Sequence, residues 1–346
     1  LKTLAAVLVE TGKPLVLAEI EIPALKPGQV LVEIAYSGAC HTQVLEARGL
    51  RGEDRWVPHC LGHEGTGRVL EIGPEVTKVK PDQQVIMSWI KGSGMEAGGT
   101  VYSWEGKYVN SGGVTTFARI AVASENRLMP LTEGLDMRQG IMLGCALPTG
   151  MGAVINSGAA QAGESVVVFG VGGVGTSAVF GAIAADCTPI IAVDINPSKL
   201  ALAAKSGATH TIDASTTDVA EAIKAICPNG VDLAVEATGV PEVMAQAIDA
   251  VRAQGGRAVV LGNAAEGKTL TISPKIFNAG KSLIGSWGGD SQPDRDTPRY
   301  AALMSNGRID VEPILSSPYR LADINNALDD LEAGRIGRPL IDMSLD

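Results

Sequence analysis

Hydrophobic and polar positions divide this chain into two unlike parts. Over 29–35 and 67–72 apolar and polar residues alternate between Pro and Gly boundaries, the period of half-buried strands, and residues 1–146 read as β-rich. From 147 the pattern changes. Short apolar runs recur at 165–169, 190–194, 209–212, 231–236, 257–261 and 282–285, with helical spacing in most gaps, as at 198–205 and 242–251. Strands interleaved with helices predict an α/β fold with a doubly wound, parallel, six-stranded sheet. Beyond 288 a helix pattern at 321–332 precedes a strand at 339–343, a tail expected to return to the β-rich part. The expected division is 1–146 with 288–346 as one discontinuous domain and 147–287 as the other. Residues 92–113, rich in Gly and Ser, read as a surface excursion.

The first apolar run of the second part leads into Gly170, Val171, Gly172, Gly173, Val174 and Gly175, and a helix of small residues follows. Asp194 ends the next run. Strand, glycine turn, helix and acid in this order are the fingerprint of a dinucleotide-binding Rossmann domain. The glycines permit a tight turn and close approach of a diphosphate, and the helix N-terminus offers it free N–H groups. A carboxylate at Asp194 would accept hydrogen bonds from ribose hydroxyls and repel a 2′-phosphate, which selects NAD over NADP.

Composition narrows the partners. The net charge of −10 argues against nucleic acid and anionic membrane surfaces, and no apolar run is long enough to span a membrane. The first ten residues lack the basic start and cleavage pattern of a signal peptide. Five scattered cysteines suit a reducing compartment better than a disulfide framework, so a cytoplasmic location is expected. Three groups invite metal chemistry: Cys40 just after a predicted strand, His63 followed by Glu64, and Cys145 near the domain boundary. Two thiolates and one imidazole suit Zn²⁺ with a fourth position open to substrate. Each has an ordinary reading too, as a small buried thiol or a hydrogen-bonded ring.

The segments Gly38-Ala39-Cys40-His41-Thr42, Gly62-His63-Glu64-Gly65-Thr66-Gly67, Gly144-Cys145 with Thr149-Gly150, the glycine turn, Asp194-Ile195-Asn196 with Lys199, and Glu236-Ala237-Thr238-Gly239 occur in one order. In this combination the chain resembles the medium-chain zinc-dependent alcohol dehydrogenase family over nearly its whole length. The resemblance implies a GroES-like catalytic domain beside the Rossmann domain. It implies hydride transfer between a primary or secondary alcohol and NAD, with catalytic zinc on Cys40, His63 and Cys145. It places Glu64 behind the metal and Thr42 at the start of a proton relay. His41, Thr149, Lys199, Thr238, Leu261, Asn263, Ser286, Trp287 and Arg338 fall at cofactor positions, and Leu45, Trp56, Trp89 and Phe117 at an apolar substrate pocket. The segment 270–286 resembles the strand that pairs relatives into a homodimer, with a tetramer as the alternative.

Three departures stand against the family pattern. Leu45 occupies the usual end of the proton relay, which leaves His41 or water to finish it. Gln43 replaces an aspartate that hydrogen-bonds the zinc histidine, so altered zinc affinity is expected. No cysteine lies between Cys60 and Cys145, so the four-cysteine structural-zinc lobe of many relatives is missing and one zinc per subunit is expected. The alternative activity is a non-redox zinc lyase or isomerase that keeps NAD permanently bound.

Overall fold

The computed structural model describes residues 1–345. By packing the chain divides into two compact units, Leu1–Cys145 with Gln292–Ser305 and Leu315–Asp346, and Ala146–Ser291 with Asn306–Ile314. Of the tail, 292–305 and 315–346 pack with the first unit, whereas 288–291 and 306–314 pack with the second. Among the described residues no single helix is long and apolar enough to cross a membrane.

The first unit is built on the strand Gln29–Gly38, which is buried along most of its length. Glu64–Ile72 pairs antiparallel on one side of it, and Ile120–Ser124 and Arg338–Asp342 share the other. With neighbours on both edges, this strand loses the clean alternation of a half-exposed one, and Glu33 is its exposed position. A second, closed sheet joins Lys2–Leu8, Val16–Glu21, Val101–Trp104, Lys107–Asn110 and His59–Cys60.

Residues 92–113 are therefore more than a surface excursion. They contain the hairpin Val101–Trp104 and Lys107–Asn110, turned at Glu105 and Gly106, both with positive φ. Two consecutive positive φ values match the twist of the flanking strands. The preceding segment is tied down by Glu125, whose carboxylate accepts from the Thr77, Lys78 and Met95 amides at 2.6, 2.7 and 2.7 Å.

The tail strand carries a charge into the core. Arg338 is 3% exposed and pairs with Glu64, which is fully buried. The register that brings them together sets Leu340 opposite Gly38 and Ser37 opposite Gly65. A buried charge left without its partner is strongly unfavourable, so this pair holds the tail in place.

The second unit is a six-stranded parallel sheet in the spatial order His210–Asp213, Ile190–Asp194, Val166–Phe169, Leu233–Glu236, Arg257–Val260, Ser282–Gly285. This is the doubly wound order, with the chain reversing direction of growth between Val166–Phe169 and Leu233–Glu236, where such sheets bind ligands. The helix Gly173–Ala184 follows the first of these strands. Small residues let it approach closely: a Cβ on Gly175 would lie 1.8 Å from the Gly170 carbonyl oxygen, whereas one on Gly172 would meet nothing within 4 Å. Pro197–Lys205 starts with Asn196 accepting from the Ser198 amide at 2.9 Å, and Val219–Ile226 with Asp218 accepting from that of Glu221 at 3.1 Å.

Two stability outcomes are expected in denaturant unfolding. Gly175→Ala should cost about 1–3 kcal/mol by overpacking, while Gly172→Ala should stay within about 1 kcal/mol of the parent. Arg338→Met should cost roughly 3–5 kcal/mol by stranding Glu64, and adding Glu64→Leu should recover most of that loss.

Candidate metal centre

Each candidate ligand sits where the backbone leaves regular structure. Cys40 caps the helix His41–Ala47, just past the end of Gln29–Gly38. His63 precedes the strand Glu64–Ile72 and follows Gly62, whose φ of 90° reverses the chain. Cys145 follows the short turn Ile141–Gly144, and a Cβ on Gly144 would lie 2.5 Å from the Met87 carbonyl oxygen. The three segments converge so that the Cys40 and Cys145 sulfurs and a His63 ring nitrogen all lie within 4.8 Å of one another. His63 Nε2 is 3.2 Å from Cys145 Sγ. All three residues belong to the first unit.

Two soft sulfurs and one imidazole nitrogen at this separation fit a tetrahedral zinc with one position left over. The electrostatics agree. A hydrogen bond from Cys145 holds the Cys40 thiol well below its ordinary range, against burial and with help from Arg338 and His63. That same contact, together with burial, pushes Cys145 up. Burial pushes the Glu64 carboxyl up and Arg338 pulls it back. Glu64 Oε1 and Arg338 Nε are both buried without a hydrogen-bond partner, so the pair is only half satisfied as it stands. Cys60, by contrast, is an isolated core thiol pushed up to about 12 by burial.

The neighbouring residues sort differently from expectation. Thr42 is half-buried, with its hydroxyl 3.8 Å from Cys40 Sγ, and His41 is exposed on the first turn of the same helix. Gln43 is buried and reaches His63 Nδ1 at 2.5 Å. Trp89 places its ring 6.2 Å from that of His63. Arg338, expected near a diphosphate, is instead buried against Glu64.

A cavity of about 740 Å³ opens beside Gln43 and His63. Trp56, 64% exposed, lines it. Leu45 is buried, and Phe117 is fully buried in the hydrophobic core of the first unit, so neither contributes an apolar wall here. The walls include two polar pairs that sequence reasoning missed: the Arg51–Glu46 ion pair at 2.7 Å, and a hydrogen bond between His59 and Asp54 at 2.8 Å. Burial pushes the Glu46 carboxyl up against the pull of Arg51. Asp54 lies below the usual carboxylate range because the Trp56 amide and His59 outweigh its burial. Only the density of charged residues between 46 and 59 could have signalled this wall.

In the second unit, Asp194 accepts from the Val171 and Asn196 amides at 2.9 Å each. Glu236 accepts from the Thr238 and Gly239 amides at 2.6 and 3.0 Å. The Thr149 hydroxyl oxygen is buried without a partner, and Ser286 meets Ser157 hydroxyl to hydroxyl at 2.6 Å. Lys199 and Leu261 are half-buried, while Asn263 and Trp287 are exposed.

Comparison with known proteins agrees with this architecture. Residues 26–133 match the alcohol dehydrogenase GroES-like domain, and residues 173–306 match the zinc-binding dehydrogenase family. The S-(hydroxymethyl)glutathione dehydrogenase of Synechocystis sp. is 32% identical over 368 aligned positions, covering 99% of this chain and all of the relative. A crystal structure of an alcohol dehydrogenase zinc-binding domain protein from Burkholderia ambifaria superposes with a TM-score of 0.92 at 32% identity, covering 99% of both chains. Benzyl alcohol dehydrogenase from Acinetobacter calcoaceticus does so with a TM-score of 0.90 at 30% identity and the same coverage. The chain belongs to the medium-chain zinc-dependent alcohol dehydrogenases, a family of oxidoreductases both of whose domains it carries.

Proposed function

We propose that this enzyme transfers hydride between an alcohol and NAD, with one zinc ion held by Cys40, His63 and Cys145. The observation that carries the reading is the convergence of these three donors within 4.8 Å. Zinc bound there would supply Lewis acidity that makes an alcohol easier to deprotonate. NAD would supply the hydride acceptor. The protein's own groups then handle the proton. Thr42 lies close enough to Cys40 Sγ to take a proton from a hydroxyl beside it, and the adjacent His41 is exposed, so the proton can pass to the ring or to solvent without a group at Leu45. Glu64 keeps one uncommitted carboxylate oxygen close to the ligands, its charge balanced by Arg338.

NAD fits the second unit. Gly172 leaves open space at the start of the helix Gly173–Ala184, where free N–H groups favour a diphosphate. Asp194 keeps its carboxylate at the strand end, which suits a ribose diol and opposes a 2′-phosphate. Thr149 offers a hydroxyl still lacking a partner. Lys199, Thr238, Leu261, Asn263, Ser286 and Trp287 complete the proposed cofactor surface. The strand Ser282–Gly285 is an edge of its sheet, which suits pairing with a second copy in a homodimer.

The substrate is read from the cavity. Its paired polar walls and volume suit an alcohol with a polar, hydrogen-bonding body larger than a benzyl group. The relatives named for S-(hydroxymethyl)glutathione fit such a body better than the one named for benzyl alcohol.

Three measurements check these points. Elemental analysis should find one zinc per chain, and Cys145→Ser should remove it; two metals per chain would refute the single-site reading. Gly172→Ala should weaken NADH binding by about tenfold, or 1.4 kcal/mol, in a fluorescence titration without lowering stability. A panel of alcohols with NAD should show higher kcat/KM for polar-bodied substrates than for benzyl alcohol, and the reverse order would overturn the substrate assignment.

A further inference from the structure

One wall of the cavity beside His63 is built from a stretch with little rigidity of its own. Gly99, Thr100 and Val101 line the cavity. They end the stretch 92–101, which holds four glycines and no cysteine. Gly94 and Gly98 within it have φ of 101° and 70°. A glycine backbone restricts itself least, and a stretch without cysteine has neither a disulfide nor a thiolate-bound metal to fix it. Its shape therefore depends on what it is tied to.

The tie is Glu125, which is 1% exposed. Its Oε1 accepts from the Thr77 and Lys78 amides at 2.6 and 2.7 Å, and its Oε2 from the Met95 amide at 2.7 Å. One carboxylate thus bridges residues 77–78 and residue 95. Backbone N–H groups are donors in every state, so the direction of these bonds is fixed. Burial pushes the carboxyl up, but the Met95, Lys78 and Thr77 amides outweigh it and hold the group below the usual carboxylate range. Hydrogen bonds to an ionised acceptor are the stronger kind. The neighbours of Glu125 extend the hold. Its own amide donates to the Gly28 carbonyl at 2.9 Å, and Ser124 Oγ accepts from the Ala97 amide at 2.8 Å. A Cβ on Gly94 would lie 2.9 Å from Glu125 Cγ, and one on Gly28 would lie 2.6 Å from Met95 Sδ, so the stretch rests directly on its anchors. Gln29, next to Gly28, donates to the Thr100 hydroxyl at 3.0 Å, with both residues buried, which carries the fixed position on to the cavity wall.

We propose that Glu125 is a positioning residue for the substrate: by fixing Met95 relative to residues 77–78 it sets the Gly99–Val101 wall, and so determines how tightly an alcohol large enough to reach that wall is bound. Glu125 itself does not line the cavity. The inference rests on the alcohol dehydrogenase reading proposed above and adds a determinant of substrate size to it. A carboxamide in the same place has one acceptor atom. It can hold residue 95 or residues 77–78 but not both, and the amide left over faces an NH₂ group in a buried site, which is unfavourable.

The test is Glu125→Gln in the full, zinc-loaded chain, with ethanol and triethylene glycol as primary alcohols of small and large body. Ethanol fills a small part of a cavity of about 740 Å³, whereas triethylene glycol must lean on its walls. The variant should raise the KM of triethylene glycol (or its Ki against ethanol, where it does not turn over) about fivefold or more, the scale of one lost hydrogen bond of this kind. The kcat values and the KM of ethanol should stay within about twofold of the parent, the pattern of lost uniform binding. Amide hydrogen exchange over 95–101 should become faster, with zinc content per chain unchanged. An equal change in KM for both alcohols, a fall in kcat at constant KM, or unchanged exchange over 95–101 overturns the inference. Should Glu125→Gln not fold, Gly94→Ala, whose Cβ would press on Glu125 from the stretch itself, takes its place with the same readouts. A parent that oxidises neither alcohol brings down the proposed function, an outcome distinct from an active parent whose variant treats the two alcohols no differently.

Discussion

The buried pair of Glu64 and Arg338 is the constraint on which the rest of the first unit turns. Neither charge can sit in the core alone, and each comes from a strand far from the other in sequence. To meet, Glu64–Ile72 and Arg338–Asp342 must both pair with Gln29–Gly38, and their registers must bring Gly65 and Leu340 to its last two residues. Cys40 leaves that same strand end, and His63 precedes Glu64 by one residue. The pairing that satisfies the charges therefore delivers two of the three metal donors. Arg338 also lies close enough to both cysteines to favour their thiolate forms. An ion pair of this kind is weak evidence for stability, but here it fixes which strands lie side by side.

Charge is distributed unevenly around the three donors. One side is closed, with Glu64 and Arg338 at or near zero exposure. Beside His63 and Gln43 lies the cavity with the Arg51–Glu46 ion pair and the His59–Asp54 hydrogen bond. A metal held here would have fixed, desolvated charges behind it and a polar, solvated wall in front. Polar groups that are already paired can exchange partners with a hydrogen-bonding substrate at modest cost, whereas an apolar body would strand them. That asymmetry is the ground for proposing a polar alcohol as the substrate.

The second unit follows a different logic. Its central parallel strands are covered on both faces, so their apolar runs are nearly continuous, as in Val166–Phe169. Function there is carried by backbone. Amide groups of Val171, Asn196, Thr238 and Gly239 are already organised by Asp194 and Glu236. At the turn between Val166–Phe169 and Gly173–Ala184 a Cβ would be crowded on Gly170 and Gly175 but not on Gly172.

What the sequence by itself determined was local. The six parallel strands fall within a residue or two of their apolar runs, and the glycine turn and Asp194 sit where that spacing places them, because such signals depend only on neighbours a few residues apart. The types of the three metal donors were legible too, through the short segments that carry them. Tertiary structure alone decided what depends on register between distant segments. It turned Phe117 into the core and left Trp56 at a cavity, paired Arg338 with Glu64, and assembled the Glu46–Arg51 and Asp54–His59 wall. It also made a closing hairpin of residues 101–110, where Gly and Ser content had suggested only a loop. A strand's period says that one face is buried, but what that face meets is set by the partner strand, and the partner can lie hundreds of residues away.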